Sequence, residues 1–351
     1  MKRLLALTLA LVTVFTLAAC SGSSSAAVAA TGNNTGSALP YAGKKVGYCP
    51  PTLTDSWLAL IAEKIGYYCT LDGIEFIATE GQGDITVQIQ QTENFIAMGC
   101  DVIIAQPVNL DAFRSVVEEA RSKGIKVIFW ADDPPYEVEG SYMSVDEIQG
   151  KLCGEMAIAW ANQTFPKDAA NGGIKVAWLT TQYDDRPSAK NRQDAMIAAI
   201  AGDPRFEVVF RKDNLTLPNE CTDAMNECLA LNPDINVIFT FSDAHAIGAN
   251  AGVMADKSLD YSKIAIFGGS STAEALALVD QSVNNDSVIR GLVLFGQGDD
   301  YFIGGANAIK GIIDGTVPLN SAFFCDHTAY NHFGYVSNFN AEEYSKNYVN
   351  K

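Results

Sequence analysis

Seven short segments of this chain mix carboxylates, amides, aromatic rings and a guanidinium, and each follows an apolar, β-rich run. They are Pro50-Pro51-Thr52-Leu53-Thr54-Asp55-Ser56-Trp57, Gln106-Pro107, Ala131-Asp132-Asp133-Pro134, the stretch from Thr181 to Arg192 with Asp184-Asp185-Arg186-Pro187-Ser188 at its centre, Ser242-Asp243-Ala244-His245, Gly268-Gly269-Ser270-Ser271, and Phe295-Gly296-Gln297-Gly298-Asp299. Rings stack on the apolar face of a sugar, and charged groups make strong hydrogen bonds to hydroxyls. The set therefore suits a small polar ligand, with Asp55, Trp57, Gln106, Trp130, Asp132, Arg186, Ser188, Arg192, Ser242, Ser270, Phe295 and Gln297 as candidate contacts. Each has a plainer explanation: Asp55, Ser188, Ser242 and Ser271 as helix caps, Trp57 and Trp130 as core, Arg192 as a surface ion pair. Their grouping at strand ends is what favours a site.

The elements that must position them repeat one unit from Lys44 onward: a short apolar run, a turn, then an amphipathic stretch. Strands are expected at Lys45–Cys49, Ile74–Ala78, Asp101–Ala105, Lys126–Trp130, Lys175–Thr180, Glu207–Arg211, Asn236–Phe241, Lys263–Phe267 and Ile289–Leu294. Runs such as VIFW and NVIFTF are continuously apolar, as parallel strands covered on both faces require. Helices are expected at Val87–Met98, Leu110–Lys123 after the cap Asn109, Asp146–Ala161 and Ser188–Ala201, with Gly73 and Gly124 as stop signals. The alternation over nearly 300 residues predicts an α/β fold of doubly wound parallel sheets, two rather than one at this length. Ligands of such sheets bind beyond the carboxyl ends of the strands.

Composition narrows the function. Of 351 residues, 41 are Asp or Glu, 24 are Lys or Arg and 3 are His, giving a formal charge of −17. That balance argues against nucleic acid, which needs clustered cations, and three histidines leave little room for a His-rich metal centre. No GxxxxGK[ST], HExxH or GxSxG occurs, so no enzyme, cofactor or metal is expected. Asp132-Asp133 and Asp184-Asp185 read as solvated loop charges.

The amino terminus, MKRLLALTLALVTVFTLAAC, has a positive start at Lys2 and Arg3 and an uncharged apolar run from Leu4 to Leu17. The run is too short for a spanning helix of about 20 residues and fits a signal peptide over 1–19. Leu17-Ala18-Ala19-Cys20 resembles a lipobox, which implies lipid on Cys20 and a membrane anchor. Cleavage there would leave 22 − 41 = −19. Residues 20–43 are small and mostly uncharged and read as a tether. Beyond Cys20, Cys49, Cys69, Cys100, Cys153, Cys221, Cys228 and Cys325 show no CxxC or zinc spacing and read as buried free thiols.

On Asp55-x-Trp57, Arg186-Pro187-x-Ala189-x-x-Arg192, Ser242-Asp243-Ala244-x-Ala246-x-Gly248 and Phe267-Gly268 followed by Glu274–Val279, residues 44–345 resemble a type I periplasmic binding protein of the sugar-binding branch, similar to galactose/glucose- and ribose-binding proteins. The resemblance implies two lobes, 44–145 with 298–325 and 146–297 with 326–351, joined by three crossings and closing on ligand. It implies that Asp55 accepts from hydroxyls, Trp57 stacks on the ring and Arg192 bridges ligand oxygens from the second lobe. It further implies a monomer that delivers solute to the permease of an ABC importer; a sensory receptor for a nucleoside or other small signal is the alternative. Departures are Arg186 and Ser188 where a His and an Asp stand in the galactose/glucose relative, Ser242 for Asn, Ala131 for a polar residue, Ser270 for Asp, and Phe295 for Asn. A pentose, a furanose, a nucleoside or a less hydroxylated ligand follows from those losses. The stretch Lys167–Gly173 lacks the alternating oxygen ligands of a Ca²⁺ loop.

Overall fold

Two six-stranded sheets, each with helices on both faces, carry the molecule. The structure is a computed structural model and describes residues 39–166, 173–181, 183, 187–269, 272–296, 298–337 and 339–347. The first sheet is built from β1 (Lys45–Cys49), β2 (Glu75–Ala78), β3 (Val102–Ala105), β4 (Lys126–Trp130) and β5 (Gly140–Met143), with α1 (Ser56–Leu71), α2 (Ile85–Ala97) and α3 (Leu110–Ser122) between the first four. The second runs through α4 (Asp146–Thr164), β6 (Ile174–Leu179), α5 (Pro187–Ile200), β7 (Phe206–Lys212), α6 (Pro218–Leu231), β8 (Val237–Ser242), α7 (Asp243–Ala255), β9 (Ala265–Gly269), α8 (Ala273–Gln281) and β10 (Ile289–Phe295). The chain then returns to the first sheet with α9 (Asp300–Asp314) and β11 (Ser321–Phe324), and crosses back with β12 (His327–Asn331).

Local signals set the element ends, at Asp55 and Asn109 as the sequence suggests and at Asp84 beyond it. Asp55, Asp84 and Asn109 stand at helix N-caps, each side chain accepting backbone N–H groups of the first turn. Gly73 and Gly124 follow helices with φ of +91° and +79°, a left-handed conformation that glycine adopts without a Cβ penalty. β3 is buried along its whole length and apolar throughout, as is the Leu292–Phe295 end of β10.

Strand order is β11-β5-β4-β3-β1-β2 in one sheet and β12-β10-β9-β8-β6-β7 in the other. Among the described residues all pairings are parallel except β10 with β12. The order reverses between β1 and β3, and between β6 and β8, so each sheet has its switch point there. Strands β5, β11 and β12 were not expected from sequence. Gly140–Met143 and Ser321–Phe324 are only four residues each; β5 is a strand because β4 pairs with it, and β11 because β5 pairs with it in turn.

The three crossings are laced together. Cys325 N–H donates to the Met143 carbonyl at 3.1 Å, Gly296 N–H to the Asp326 carbonyl at 2.6 Å, and Val145 N–H to Nε2 of His327 at 3.0 Å. A fourth passage follows β12: α10 (Ala341–Asn347) packs on β11 of the first sheet, with Ala341 N–H on Asp326 Oδ1 at 2.8 Å and Tyr344 against Phe324. Of the segment 326–351, expected on the second sheet throughout, β12 pairs in the second sheet and α10 packs on the first. The physical reason is a small aromatic cluster of Phe324, Phe339 and Tyr344 that draws the chain back.

Candidate functional site: an aromatic and guanidinium cleft between the two sheets

The loops at both switch points are held by buried glutamines. From α2, Gln88 donates through Nε2 to the carbonyls of Cys49 and Gln106, at 3.2 and 3.0 Å, and accepts Val108 N–H at 2.9 Å. From α5, Gln193 accepts Thr181 N–H at 2.8 Å and donates to the carbonyls of Thr181 and Ala189. Both side chains are almost fully buried. They satisfy loop groups that a strand's end leaves without a ladder partner, and so fix the starting points of the site loops.

On the first sheet's side, Asp55 is exposed at the start of α1. Its Oδ1 accepts the N–H groups of Trp57 and Leu58 at 2.9 and 3.0 Å. The cap orients the carboxylate through Oδ1 alone. Trp57 is half-buried and stacks on Phe295, with ring centroids 5.0 Å apart and planes 22° apart, while Tyr301 and Phe302 close its base. Gln106 is buried, its Oε1 accepting from the Tyr48 hydroxyl at 2.6 Å. Ala131, the residue expected to be polar, has φ of +69°, a conformation rare outside glycine and held here by its N–H on the Tyr142 carbonyl. That kink carries the chain on to the half-buried Asp132.

Trp130 is a correction. It has no exposed surface, packs against Tyr142 and Gly305, and donates its indole N–H to the Tyr301 hydroxyl at 2.7 Å. It is the last residue of its strand and points into the core under α9. A tryptophan at a strand end reads the same in sequence whichever way the pleat turns it.

On the second sheet's side, Arg192 lies one turn into α5 and is 8% exposed. Its guanidinium carbon sits 4.2 Å from the centroid of Phe241 and 5.8 Å from that of Phe295. Nε and Nη2 donate to Oδ1 of Asp146 at 2.8 and 2.5 Å. The plainer reading as a surface ion pair is therefore excluded, and its partner is a residue that sequence reading had only as a helix start. Ser242 precedes α7, with Oγ 2.6 Å from Nδ1 of His245, whose Nε2 lies 3.0 Å from the Leu215 carbonyl. A carbonyl only accepts, so the proton is on Nε2 and Ser242 donates to Nδ1, leaving its oxygen free to accept. Burial lowers the pKa of His245, against smaller opposing effects of the Leu215 carbonyl, Asp243 and Asp55. Ser188 is half-buried in the first turn of α5. Arg186, Ser270, Ser271 and Gln297 lie outside the described residues, as do Cys20 and 167–172 of the Lys167–Gly173 stretch.

Trp57, Phe295, Arg192 and Phe241 thus form one run from α1 to the end of β8, crossing between the sheets. Phe241 was missed in sequence although it adjoins Ser242; Asp146 carried no signal beyond its place at a helix start. Among the described residues no group of three or more His, Cys, Asp or Glu is arranged to hold a metal. A separate cavity of about 310 Å³ between Lys44, Cys100, Asp101, Lys123 and Lys126 lies at the amino ends of the first sheet's strands, opposite the switch point.

A periplasmic binding protein domain model matches residues 46–295. The ribose import binding protein RbsB of Bacillus subtilis is 25% identical over 204 residues, 58% of this chain and 63% of that protein, so the match takes in less than two thirds of the relative's length. A solute-binding protein of an ABC transporter from Actinobacillus succinogenes, solved with D-allose, superposes with a TM-score of 0.68 at 19% identity, covering 87% of this chain and all of that one. One from Bacillus halodurans, solved with myo-inositol, gives 0.68 at 20% identity over 88% and 99% of the two chains. The family's members are non-enzymatic, extracytoplasmic binding components, which agrees with the expectation against catalysis. With two parallel-sheet lobes and a match over most of its length, the chain belongs to the periplasmic binding protein domain family and has the type I fold of its sugar-binding members.

Proposed function

We propose that this protein is the solute-binding lipoprotein of an ABC importer, capturing a small sugar or sugar-like polyol between its two sheets and presenting it, as a monomer, to the permease. The observation that carries the reading is the Trp57–Phe295–Arg192–Phe241 run at the facing strand ends, beside Asp55, Ser242 and Asp132. Flat apolar faces suit the C–H face of a polyol, and fixed donors and acceptors suit its hydroxyls. The relatives named above with ribose, D-allose and myo-inositol support the same chemistry. With Phe295 in the run, a pentose or a less hydroxylated ligand fits better than a hexose gripped on all sides.

A thermal-shift screen of the purified protein against pentoses, hexoses, polyols and nucleosides tests this. A ligand at 100 times its Kd adds about 2.7 kcal/mol of stability. Stabilisation by nucleosides alone would overturn the sugar assignment. The anchor rests on Leu17-Ala18-Ala19-Cys20 and the tether behind it. Labelled palmitate should enter the wild-type protein and not a Cys20→Ala variant, which should appear in the soluble fraction; a variant that stays membrane-bound after signal cleavage would refute lipidation.

A further inference from the structure

Arg192 does not meet the cleft as a free cation. A guanidinium offers five N–H donors in a rigid fork. Here Nε and Nη2 each give one to Asp146, and Nη1 reaches the Phe241 carbonyl at 3.4 Å. One N–H on each terminal nitrogen remains. Asp146 sits in the first turn of α4, and α4 is pressed against α5 at glycine positions. A Cβ on Gly150 would meet the Arg192 carbonyl oxygen at 1.9 Å, and one on Gly154 would meet Ala199 Cβ at 2.4 Å. Any larger residue would force the helices apart and with them carboxylate from guanidinium. The sequence thus builds a close helix contact whose consequence is a fixed, buried ion pair at the cleft, with side chains about 9% and 10% exposed.

We propose that Asp146 is a positioning residue that sets the ligand class: it aims the two remaining N–H groups of Arg192 into the cleft and neutralises its charge, so the site takes uncharged polyols and rejects their carboxylate-bearing counterparts. The inference rests on the sugar reading of the same cleft. A hydroxyl oxygen needs only donors, and the fork still supplies two. A ligand carboxylate entering a closed cleft loses its hydration and needs a cation in return; the cation is already spent on Asp146, whose own charge repels it.

Two pairs of probes test this, D-glucose with D-glucuronate and D-galactose with D-galacturonate, each differing only at one carbon. Affinities are measured by titration calorimetry and thermal shift on the wild type, Asp146→Asn and the double variant Asp146→Asn/Arg192→Gln. The wild type should bind each hexose better than its uronate. Asp146→Asn keeps an acceptor for the fork but frees its charge, and should raise the uronate-to-hexose affinity ratio at least about tenfold, the order of one charge-assisted hydrogen bond. The double variant should lose that gain. A purely structural lesion would weaken both members of a pair alike and leave the ratio unmoved, which would overturn the proposal, as would a wild type that prefers the uronate. If no probe shifts the wild type, D-xylose and L-arabinose replace the two hexoses against the same uronates; if those fail too, the sugar reading itself falls and this inference with it. Should Asp146→Asn not fold, Asp146→Ser carries the same comparison, since it also removes the charge and keeps an oxygen.

Discussion

Two tryptophans near the ends of first-sheet elements, Trp57 and Trp130, were both candidates for ligand contact, and the structure separates them by what they touch. Trp130 is fully buried beneath α9 and its N–H is bound to the Tyr301 hydroxyl; Trp57 is half-buried and lies in the aromatic run of the cleft. Trp130→Ala should therefore cost about 3–5 kcal/mol of stability for the buried indole, and leaving the Tyr301 hydroxyl without its donor adds about 1–3 kcal/mol. That sum approaches the whole stability of an ordinary domain, so Trp130→Phe is the useful variant. It retains one ring, loses the N–H, and should cost about 2–3 kcal/mol while ligand affinity stays unchanged. Trp57→Ala should behave oppositely. With three ring contacts but part of its surface still exposed, it should cost about 1–2 kcal/mol of stability. If a sugar covers roughly 60–80 Å² of the ring at about 25 cal/mol/Å², it loses about 1.5–2 kcal/mol of binding, or about ten- to thirtyfold in Kd. Urea unfolding gives the stabilities and titration calorimetry the affinities, with whichever sugar the screen returns. Trp130→Phe that binds more weakly at unchanged stability, or Trp57→Ala that binds as well as the wild type, would refute the division between core and cleft.

Stability should fall on acidification from about pH 6.5 toward about pH 3. Burial first, then the nearby Arg192 charge, holds the pKa of His327 down at about 3, and burial also lowers His245. Between the unfolded and folded values the unfolded chain binds more protons, so unfolding becomes easier as pH drops. His327→Asn should reduce the slope of stability against pH by up to about one proton, measured by urea melts across that range; an unchanged slope would contradict it. The seven thiols from Cys49 to Cys325 are unpaired and buried. Burial raises all of them, Cys100 to about 11 and Cys69, Cys153, Cys221 and Cys228 to about 12. A thiol-reactive disulfide reagent at pH 8 should label none of the seven in the native protein and all of them in denaturant, and reductant should leave the melting temperature where it was; rapid native labelling would show that the interior opens.

Much of this protein is local and was open to reading in its sequence. Apolar runs without alternation marked β1, β3, β4 and β10, because a parallel strand buried on both faces needs nothing else. Caps at Asp55 and Asn109 and stops at Gly73 and Gly124 placed helix ends within a residue or two, since each acts on groups a few positions away. The rule that α/β ligands lie beyond strand ends then picked out Trp57, Arg192 and Phe295, which the fold does bring together.

What the sequence could not decide depends on partners far along the chain. β5, β11 and β12 are strands because β4, β5 and β10 pair with them, and a four- or five-residue segment has no periodicity of its own to announce that. Trp130 and Trp57 differ only in which way a backbone turn faces them. The ion pair of Arg192 with Asp146 joins residues 46 positions apart, and it exists because Gly150 and Gly154 let two helices touch along their backbones. Residue types and local spacing thus determined the strands, the helix ends and the pool of polar groups at the cleft. Only the packing of one helix on another, which no short window of sequence contains, decided that its arginine arrives there already neutralised.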